Sequence, residues 1–282
     1  MKNRELFSEK NRKNYKMKYF IISFSLFIVL LAICSVVLFM YSLDFDISNL
    51  IGSTTTTTAA PADEEITNNY SVNELNGKSN LLFIIEDIDG IDFVCVVSTN
   101  FDNKSMIVKC VDGSENLSYK NRTLKIDSVY LEDNVVGVKK ALADNYNFLV
   151  DKYIILDKES LKNVLSLFDG FSVNVLKDVN HKSYDFNLTL TKGKQELSPD
   201  MTYRYLQISD NNTRESIICD IIKSVLVAPY AEKSENLFTS FVNSCETDIS
   251  VIDYAESAER LYIYCYANDK FYPETYNKGD NS

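Results

Sequence analysis

The longest apolar run of the chain lies near its N-terminus and contains no charged residue. Residues 19–43 read YFIISFSLFIVLLAICSVVLFMYSL. As a helix rising about 1.5 Å per residue, this run would span roughly 37 Å, more than the ~30 Å hydrocarbon core of a bilayer. A signal peptide has a shorter apolar region and ends at a small-residue cleavage site, whereas this run ends in Phe39, Met40 and Tyr41. The pattern therefore predicts one retained transmembrane helix.

Beyond residue 79, the apolar positions follow the periods of a globular domain. Continuous apolar runs and alternation predict strands, and a spacing of three or four residues predicts helices. The predicted strands cover residues 80–87, 92–99, 105–111, 151–157, 171–176 and 186–191. The predicted helices cover residues 134–147, 158–168, 199–208, 213–229, 234–244 and 250–264. Strands interspersed with helices indicate an α/β (α+β) domain, in which helices flank a mixed central β-sheet.

Three of the predicted helices have a recognisable start. Ser198 suits an N-cap, and Pro199 suits the first helical position because its missing N–H would have no partner there. Thr213 and Ser250 are the predicted caps of the helices that begin near them. These caps divide the C-terminal half of the domain into separate helices.

The segments outside the domain differ from it in composition. Residues 1–18 hold seven Lys or Arg against two Glu, and residues 44–78 include the tract STTTTTAAPADEE, a flexible spacer or, alternatively, a glycosylated stalk. By the positive-inside rule, the N-terminus stays in the cytoplasm and the chain after residue 43 lies outside the cell membrane. The predicted organisation is a cytoplasmic tail (1–18), a transmembrane helix (19–43), an extracytoplasmic linker (44–78), a domain (79–265) and a disordered tail (266–282).

The net charge of the chain after residue 43 limits the classes of partner that this part can bind. The chain carries a net charge of −11, and because residues 1–18 contribute +5, the remainder carries about −16. An acidic exterior repels nucleic acid, so no nucleic-acid partner is predicted. The same acidity repels a phosphate-bearing substrate unless a metal ion or local arginines compensate for it.

Cysteine and histidine usage argues against a zinc site and against catalysis with a histidine base. The sequence has no C-x-x-C spacing, and His181 is its only histidine. Cys95 and Cys110 fall in successive predicted strands, which leaves a disulfide and two buried free thiols as alternatives. The pairing of the other exterior cysteines is equally open, and these are Cys219, Cys245 and Cys265.

Three aspartates lie at the ends of predicted strands. Asp87 ends the first strand, Asp92 begins the second and Asp112 follows the third. Carboxylates held by neighbouring strand ends can converge on a hard cation such as Mg²⁺, although acidic turns are a common alternative. Arg214 lies in the first turn of a predicted helix, where the helix dipole disfavours a cation. Its position suggests a nearby acid or a phosphate ligand, and a solvated arginine is the alternative.

The order of these elements resembles the LytR-CpsA-Psr family of cell-envelope proteins over residues 79–265. The opening strands NLLFIIEDIDGIDFVCVVSTNFDNKSMIVKCVDGS are similar to the family's N-I-L-L-L-G-x-D, S-D-T and P-R-D strands. DKYIILDKESLKNVLSLFDGFSVNVLKDV is similar to the segment that ends in G-G-V-x-V-x-V, and LTKGKQELSPDMTYRYLQISD to L-x-x-G-x-x-x-L-x-G-x-x-A-L-x-Y-x-R-x-R. The resemblance implies an extracytoplasmic domain that transfers glycopolymers from polyprenyl pyrophosphate to peptidoglycan, with the lipid tail in an apolar pocket.

The resemblance assigns roles to four residues. Asp87 and Asp92 match the metal-binding aspartates of the family, which implies Mg²⁺ as a cofactor. Asp112 matches the aspartate of P-R-D, and Arg214 matches the first arginine of the family's G-R-x-x-R-Q segment. Asp112 and Arg214 are therefore the catalytic candidates.

The match breaks at the residues that would bind pyrophosphate. Gln207 can donate a hydrogen bond there but carries no charge, so substrate binding would fall to Arg214 with Gln207, Lys192 and Lys194. The positions at which an arginine of the family is replaced hold Val111, Gln207, Ser209 and Ile217.

Two hypotheses follow from these departures. In the first, the protein is catalytically degenerate: it sits in the cell membrane, contacts membrane lipid, and binds a polyprenyl-(pyro)phosphate-linked glycopolymer, peptidoglycan or another wall partner without chemistry. In the alternative, it is an active Mg²⁺-dependent phosphotransferase with a rearranged site. The lost arginines favour the first hypothesis, and the retained aspartates motivate the second.

Overall fold

The computed structural model describes residues 70–88 and 90–276. The predicted cytoplasmic tail and transmembrane helix, most of the predicted linker, Asp89 and residues 277–282 lie outside the described residues. Across the described ranges, no helix combines the length and the apolar composition that crossing a bilayer requires.

Twelve strands and seven α-helices are described in these ranges. The strands are β1 (Lys78–Asp87), β2 (Gly90–Asn100), β3 (Ser105–Asp112), β4 (Asn116–Tyr119), β5 (Arg122–Lys125), β6 (Lys152–Leu156), β7 (Phe171–Val175), β8 (Val179–Lys182), β9 (Asn187–Leu190), β10 (Gly193–Leu197), β11 (Glu246–Thr247) and β12 (Pro273–Thr275). The helices are α1 (Ile126–Tyr146), α2 (Lys158–Leu165), α3 (Pro199–Ile208), α4 (Asn211–Val225), α5 (Ala228–Ala231), α6 (Ser234–Val242) and α7 (Val251–Tyr266).

The central sheet is mixed, as the sequence predicts. Its six strands run in the order β11-β6-β1-β2-β3-β12. The pairs β1–β2, β2–β3 and β6–β11 are antiparallel, whereas β1–β6 and β3–β12 are parallel. Further two-stranded pairs are β4–β5, β7–β10 and β8–β9. The predicted fold class, a mixed sheet flanked by helices, is confirmed for the described residues.

Each face of the central sheet packs against helices. On one face, Leu82 and Ile84 of β1 contact the buried side of α1, which presents Val138 and Leu142. On the other face, inward-pointing residues of β1, β2 and β3 pack against α4, and the contacting cluster includes Ile85, Phe93, Cys110 and Cys219. Because successive side chains of a strand point to opposite faces, near-continuous apolar runs such as LLFII are what a sheet covered on both sides requires.

Several helix boundaries differ from the sequence prediction. Element α1 consists of two helical segments joined at a kink, because the backbone angles of Asp133 and Asn134 are not helical. The segment after the kink is the helix predicted over residues 134–147, and the segment that begins at Ile126 was not predicted. The predicted cap Thr213 is wrong. Asp210 is the N-cap of α4, and its carboxylate accepts a hydrogen bond from the Thr213 N–H at 2.9 Å. The predicted caps Ser198 and Ser250 are confirmed.

Both predicted flanking segments are shorter than expected. Val72, within the predicted linker, is fully buried, and its N–H donates to Asp269 Oδ1 at 2.9 Å. The predicted disordered tail is wrong for residues 267–276, because β12 pairs with β3 and Ala267 is buried. These short polar segments are ordered by contacts with distant parts of the chain, which local composition does not show.

The described cysteines are free thiols. Cys95 and Cys110 lie opposite each other in the β2–β3 ladder, and both are buried. Burial raises the pKa of the Cys95 thiol well above its ordinary value, and the neighbouring Cys110 adds to the effect. Of the two alternatives left by the sequence, the structure has the buried free thiols.

Candidate functional site

The three predicted aspartates meet at one edge of the central sheet. Asp87 ends β1, Asp92 lies near the start of β2 and Asp112 ends β3. Because β2 runs antiparallel to both neighbours, these positions share an edge, where they line a cleft of about 300 Å³ together with Lys125 and Asp127. The prediction that the strand ends bring these carboxylates together is therefore confirmed by the geometry.

A glycine turn holds Asp112 beside Asp92. The Gly113 N–H donates to the carbonyl oxygen of Asp92 at 2.8 Å. A Cβ at position 113 would lie 1.9 Å from the carbonyl oxygen of Ile91. Only glycine fits this approach, so the Asp-Gly pair in the sequence marks the closing of the cleft as well as a turn.

Arg214 lies between two of the aspartates and is almost fully buried. Its Nη1 is 3.2 Å from Asp112 Oδ2, and its Nη2 is 3.5 Å from Asp92 Oδ1. Its Nε donates to the carbonyl oxygen of Leu206 at 3.1 Å, and the guanidinium lies 4.4 Å from the centre of the Phe93 ring. The sequence-based expectation of a nearby acid is confirmed, and the alternative of a solvated arginine is wrong.

Lys158, which the sequence analysis missed, forms the second ion pair of the site. It is the first residue of α2, and its Nζ lies 2.6 Å from Asp87 Oδ2. A cation in the first turn of a helix is disfavoured by the helix dipole, so a lysine directly after the N-cap Asp157 is the signal that could have revealed it. Its side chain is half-exposed, and it reaches β1 from the neighbouring strand-to-helix turn.

The three carboxyl groups have different electrostatic surroundings. The hydrogen bond from Lys158 lowers the pKa of Asp87. Burial raises the pKa of Asp92 and outweighs the attraction of Arg214. For Asp112, burial acts in the opposite direction to the hydrogen bonds from Ser114 and Arg214, and the pKa falls.

The residue after Arg214 is a buried carboxylate that bonds to β3. Glu215 accepts hydrogen bonds from the Cys110 N–H at 3.0 Å and from Lys109 Nζ at 3.2 Å. Burial raises the pKa of Glu215. These bonds tie the first turns of α4 to β3, and so fix the backbone of Arg214 relative to Asp112.

The remaining predicted binding residues are not assembled with the aspartates. Gln207 donates to the hydroxyl of Tyr203 at 2.8 Å. Lys192 and Lys194 are exposed on the turn that begins β10, and within the described part of the chain neither forms an ion pair. Tyr203 lies closer to the site than these lysines: burial raises its pKa, and the charges of Lys158, Asp87 and Asp92 also act on it.

The arrangement of donors does not fit a Mg²⁺ ion held by Asp87 and Asp92. One Asp87 oxygen accepts from the Ile88 N–H at 2.7 Å and the other from Lys158 at 2.6 Å. Asp92 Oδ1 faces the Arg214 guanidinium. Among the described residues, no group of three or more potential metal-binding side chains is assembled. Mg²⁺ binding therefore stays a prediction from the resemblance.

An apolar cavity of about 430 Å³ lies behind the charged cluster, between the central sheet and α2, α3 and α4. Phe93 and Leu206 line this cavity and also contact Arg214, so they join it to the charged cluster. Half-buried side chains of α4 form one wall, and these include Ile218, Ile221 and Ile222.

Comparison with known proteins places the fold. No family model and no curated protein sequence matches the chain. Among solved structures, a protein of Eubacterium siraeum proposed to regulate transcription shares 15% identity at a TM-score of 0.61, covering 81% of this chain and 93% of its own. TagV of B. subtilis shares 17% identity at a TM-score of 0.59, with 72% of this chain and 85% of TagV covered.

A third similar structure holds a ligand. TagT, solved bound to LI-WTA, shares 13% identity at a TM-score of 0.52, covering 75% of this chain and 85% of TagT. TagV and TagT are LytR-CpsA-Psr proteins. The chain therefore has the LytR-CpsA-Psr fold, and the resemblance seen in the sequence is confirmed at the level of the fold.

Proposed function

We propose that this protein is a membrane-anchored, extracytoplasmic component of cell-envelope assembly that binds a polyprenyl-linked glycopolymer or a wall partner and has lost catalytic power. The observation that carries the proposal is the junction of the apolar cavity with the charged cluster at Phe93 and Leu206. An amphiphilic ligand with an apolar tail and an anionic head needs both environments side by side.

The cavity suits the tail of such a ligand. Its walls are aliphatic and aromatic side chains from the sheet and from α2, α3 and α4. Each buried methylene contributes about 0.8 kcal/mol, so a single five-carbon prenyl unit contributes about 4 kcal/mol. A few such units supply enough free energy for micromolar binding even after the cost of association.

The charged cluster lies at the end of the cavity where a head group would emerge, but it supplies too little positive charge for catalysis. Asp87, Asp92 and Asp112 carry three negative charges, and Lys158 and Arg214 return two, so the cluster is net −1. The helix at which LytR-CpsA-Psr proteins present arginines to pyrophosphate has two neutral groups in this chain, the Gln207 amide and the Tyr203 hydroxyl.

Each missing charge-assisted contact weakens the stabilisation of developing phosphoryl charge by about 1.5–3 kcal/mol. At about 1.4 kcal/mol per factor of ten, four replaced arginines remove several powers of ten in rate. The loss of catalysis in the proposal follows from this estimate.

The proposed location follows from the N-terminal sequence. The basic residues 1–18 and the uncharged run 19–43 indicate one membrane span with the domain outside. That topology places the cavity where polyprenyl-linked polymers, membrane lipid and peptidoglycan are within reach. A cell-surface protease that removes a tag after residue 276, while sparing one before residue 19, would support this orientation.

The binding proposal is tested with geranylgeranyl pyrophosphate as the probe. The full chain, kept in an uncharged maltoside detergent, is titrated calorimetrically with this probe, with geranylgeraniol and with inorganic pyrophosphate. We expect the first two to bind within about tenfold of each other, because the tail dominates, and pyrophosphate alone not to bind. Absence of binding by both prenyl compounds contradicts the proposal.

The retained aspartates motivate the alternative, an active Mg²⁺-dependent phosphotransferase. Its test is transfer of a labelled, prenyl-linked disaccharide phosphate to peptidoglycan, with Asp112→Asn as the matched inactive variant. Product that depends on Mg²⁺ and disappears in Asp112→Asn would replace the binding-only proposal with the alternative.

A further inference from the structure

We propose that the ammonium group of Lys158 takes the place of a divalent cation beside Asp87 and Asp92, so that the site of this chain is assembled without Mg²⁺. The inference rests on the same site as the proposed function and names the group that neutralises it. It explains why both oxygens of Asp87 already accept hydrogen bonds from groups of the chain itself.

The contact itself is close and specific. Lys158 Nζ lies 2.6 Å from Asp87 Oδ2, a charge-assisted hydrogen bond of short length. The second oxygen of Asp87 is taken by the Ile88 N–H at 2.7 Å. A cation seated on Asp87 would therefore have to displace the ammonium group and then remain next to it.

The position of Lys158 in its helix supports the same conclusion. It is the first residue of α2, where the helix dipole disfavours a positive charge. Burial lowers the pKa of Lys158, but the hydrogen bond and the charge of Asp87 outweigh burial, and the pKa rises. A lysine kept at an unfavourable position by one carboxylate is a partner of that carboxylate.

The second aspartate is within reach of the same charge. Lys158 acts electrostatically on Asp92, in addition to Arg214, which lies 3.5 Å from Asp92 Oδ1. The two cations thus face the pair of carboxylates from opposite elements, α2 and α4. Together they supply the positive charge that a metal ion would otherwise bring.

The experiment measures Mn²⁺ binding, with no lipid present. Full-length protein in an uncharged maltoside detergent is titrated with Mn²⁺, and binding is followed by water-proton relaxation. We expect weak, non-saturating binding to the wild type and saturable binding to Lys158→Met, tighter by ~10–1,000-fold, the factor by which a nearby cation changes a carboxylate's proton affinity. Adding Asp87→Asn to Lys158→Met should remove the gain.

Lys162→Met is the matched control. Lys162 lies one turn further along the same helix and pairs with Asp200 at 3.0 Å, away from the strand ends. The Lys162→Met substitution removes one positive charge from the same helix, so it measures any general effect of the lost charge on Mn²⁺ binding. We expect it to behave as the wild type does.

Two outcomes would overturn the inference. One is saturable Mn²⁺ binding to the wild type with the affinity of Lys158→Met, and the other is a folded Lys158→Met protein, by circular dichroism, that binds no better than the wild type. If Lys158→Met does not fold, Lys158→Gln is measured in its place. Because no prenyl compound enters this titration, failure of lipid binding and failure of this inference are separate results.

Discussion

The apolar and the charged halves of the site differ in how complete they are. The cavity of about 430 Å³ is lined by buried and half-buried apolar side chains that leave space between the sheet and the helices. In the charged half, by contrast, every named cation already has a carboxylate partner. Arg214 pairs with Asp92 and Asp112, and Lys158 pairs with Asp87. The apolar half therefore offers space to a ligand, whereas the side chains of the polar half are already bonded to one another.

Because of this difference, the apolar half should contribute most of the free energy of ligand binding. Burial of apolar surface contributes favourable free energy of binding in proportion to the area that is removed from water. An anion that approaches the polar half must compete with carboxylates already placed on the two cations. We therefore expect changes in the cavity to affect ligand binding strongly, and changes in the charged half to affect mainly the stability of the fold.

The largest expected effect comes from filling the cavity. Ile222→Trp places an indole in the space between α4 and the sheet, where it excludes at least one prenyl unit. The loss of about 4 kcal/mol weakens geranylgeraniol binding by about a thousandfold. Calorimetry with the same detergent and probe as above measures the change.

The control for this substitution is Leu131→Trp. Leu131 is 70% exposed on α1, away from the cavity, and should leave geranylgeraniol affinity unchanged. Equal loss in both variants would show that the effect is not local. Unchanged affinity in a folded Ile222→Trp protein would show that the tail binds elsewhere. The apolar half would then not be the part of the site that dominates ligand binding.

The second prediction concerns the stability of the charged half. Arg214→Ala leaves two carboxylates without their shared cation and leaves the carbonyl oxygen of Leu206 without its donor. We expect a loss of roughly 2–3 kcal/mol, below the 3–5 kcal/mol of a fully buried pair. The reduction reflects Asp112, whose side chain is 42% exposed. Urea unfolding of the full chain measures it.

Arg204→Ala is the matched control for this arginine. Arg204 pairs with Asp200 at 2.8 Å on the surface of α3, in an i,i+4 arrangement. Such exposed pairs contribute about 0–1 kcal/mol. If Arg214→Ala loses no more stability than Arg204→Ala, the ion pairs of Arg214 with Asp92 and Asp112 contribute little. The charged half would then not be stabilised by its internal pairs.

Sequence reasoning captured the parts of this molecule that local pattern encodes. The central strands, the caps at Ser198 and Ser250, and the convergence of Asp87, Asp92 and Asp112 follow from hydrophobic period and from strand-end position. These features depend on residues that are near each other in the chain or on the simple geometry of antiparallel neighbours.

The features that were missed depend on contacts between distant residues. Lys158 reaches Asp87 across 71 positions, and Glu215 reaches Cys110 across 105. Strand β12 is three residues long and joins the sheet only because β3 offers it an edge. Composition and period contain no information on such pairings.

The smallest predicted effect is a pH dependence of stability that has opposite signs for Asp87 and Asp92. The pKa of Asp87 is lowered in the folded protein, chiefly by the hydrogen bond from Lys158, so Asp87 contributes stability that is present above its unfolded pKa and is lost as pH falls. The pKa of Asp92 is raised by burial, so its contribution is fully present below the unfolded pKa and is lost as pH rises through the folded pKa.

Because the unfolded pKa of aspartate is about 3.9, the effect of Asp87 lies mainly below that pH and the effect of Asp92 mainly above it. The stability of Asp87→Asn relative to the wild type should fall as pH rises toward this value, and that of Asp92→Asn should rise as pH increases beyond it. Urea unfolding of both variants and the wild type at half-unit steps of pH measures the two slopes. Slopes of the same sign would contradict the prediction. They would mean that Lys158 does not stabilise the charged form of Asp87, and therefore that the polar half of the site is not paired internally.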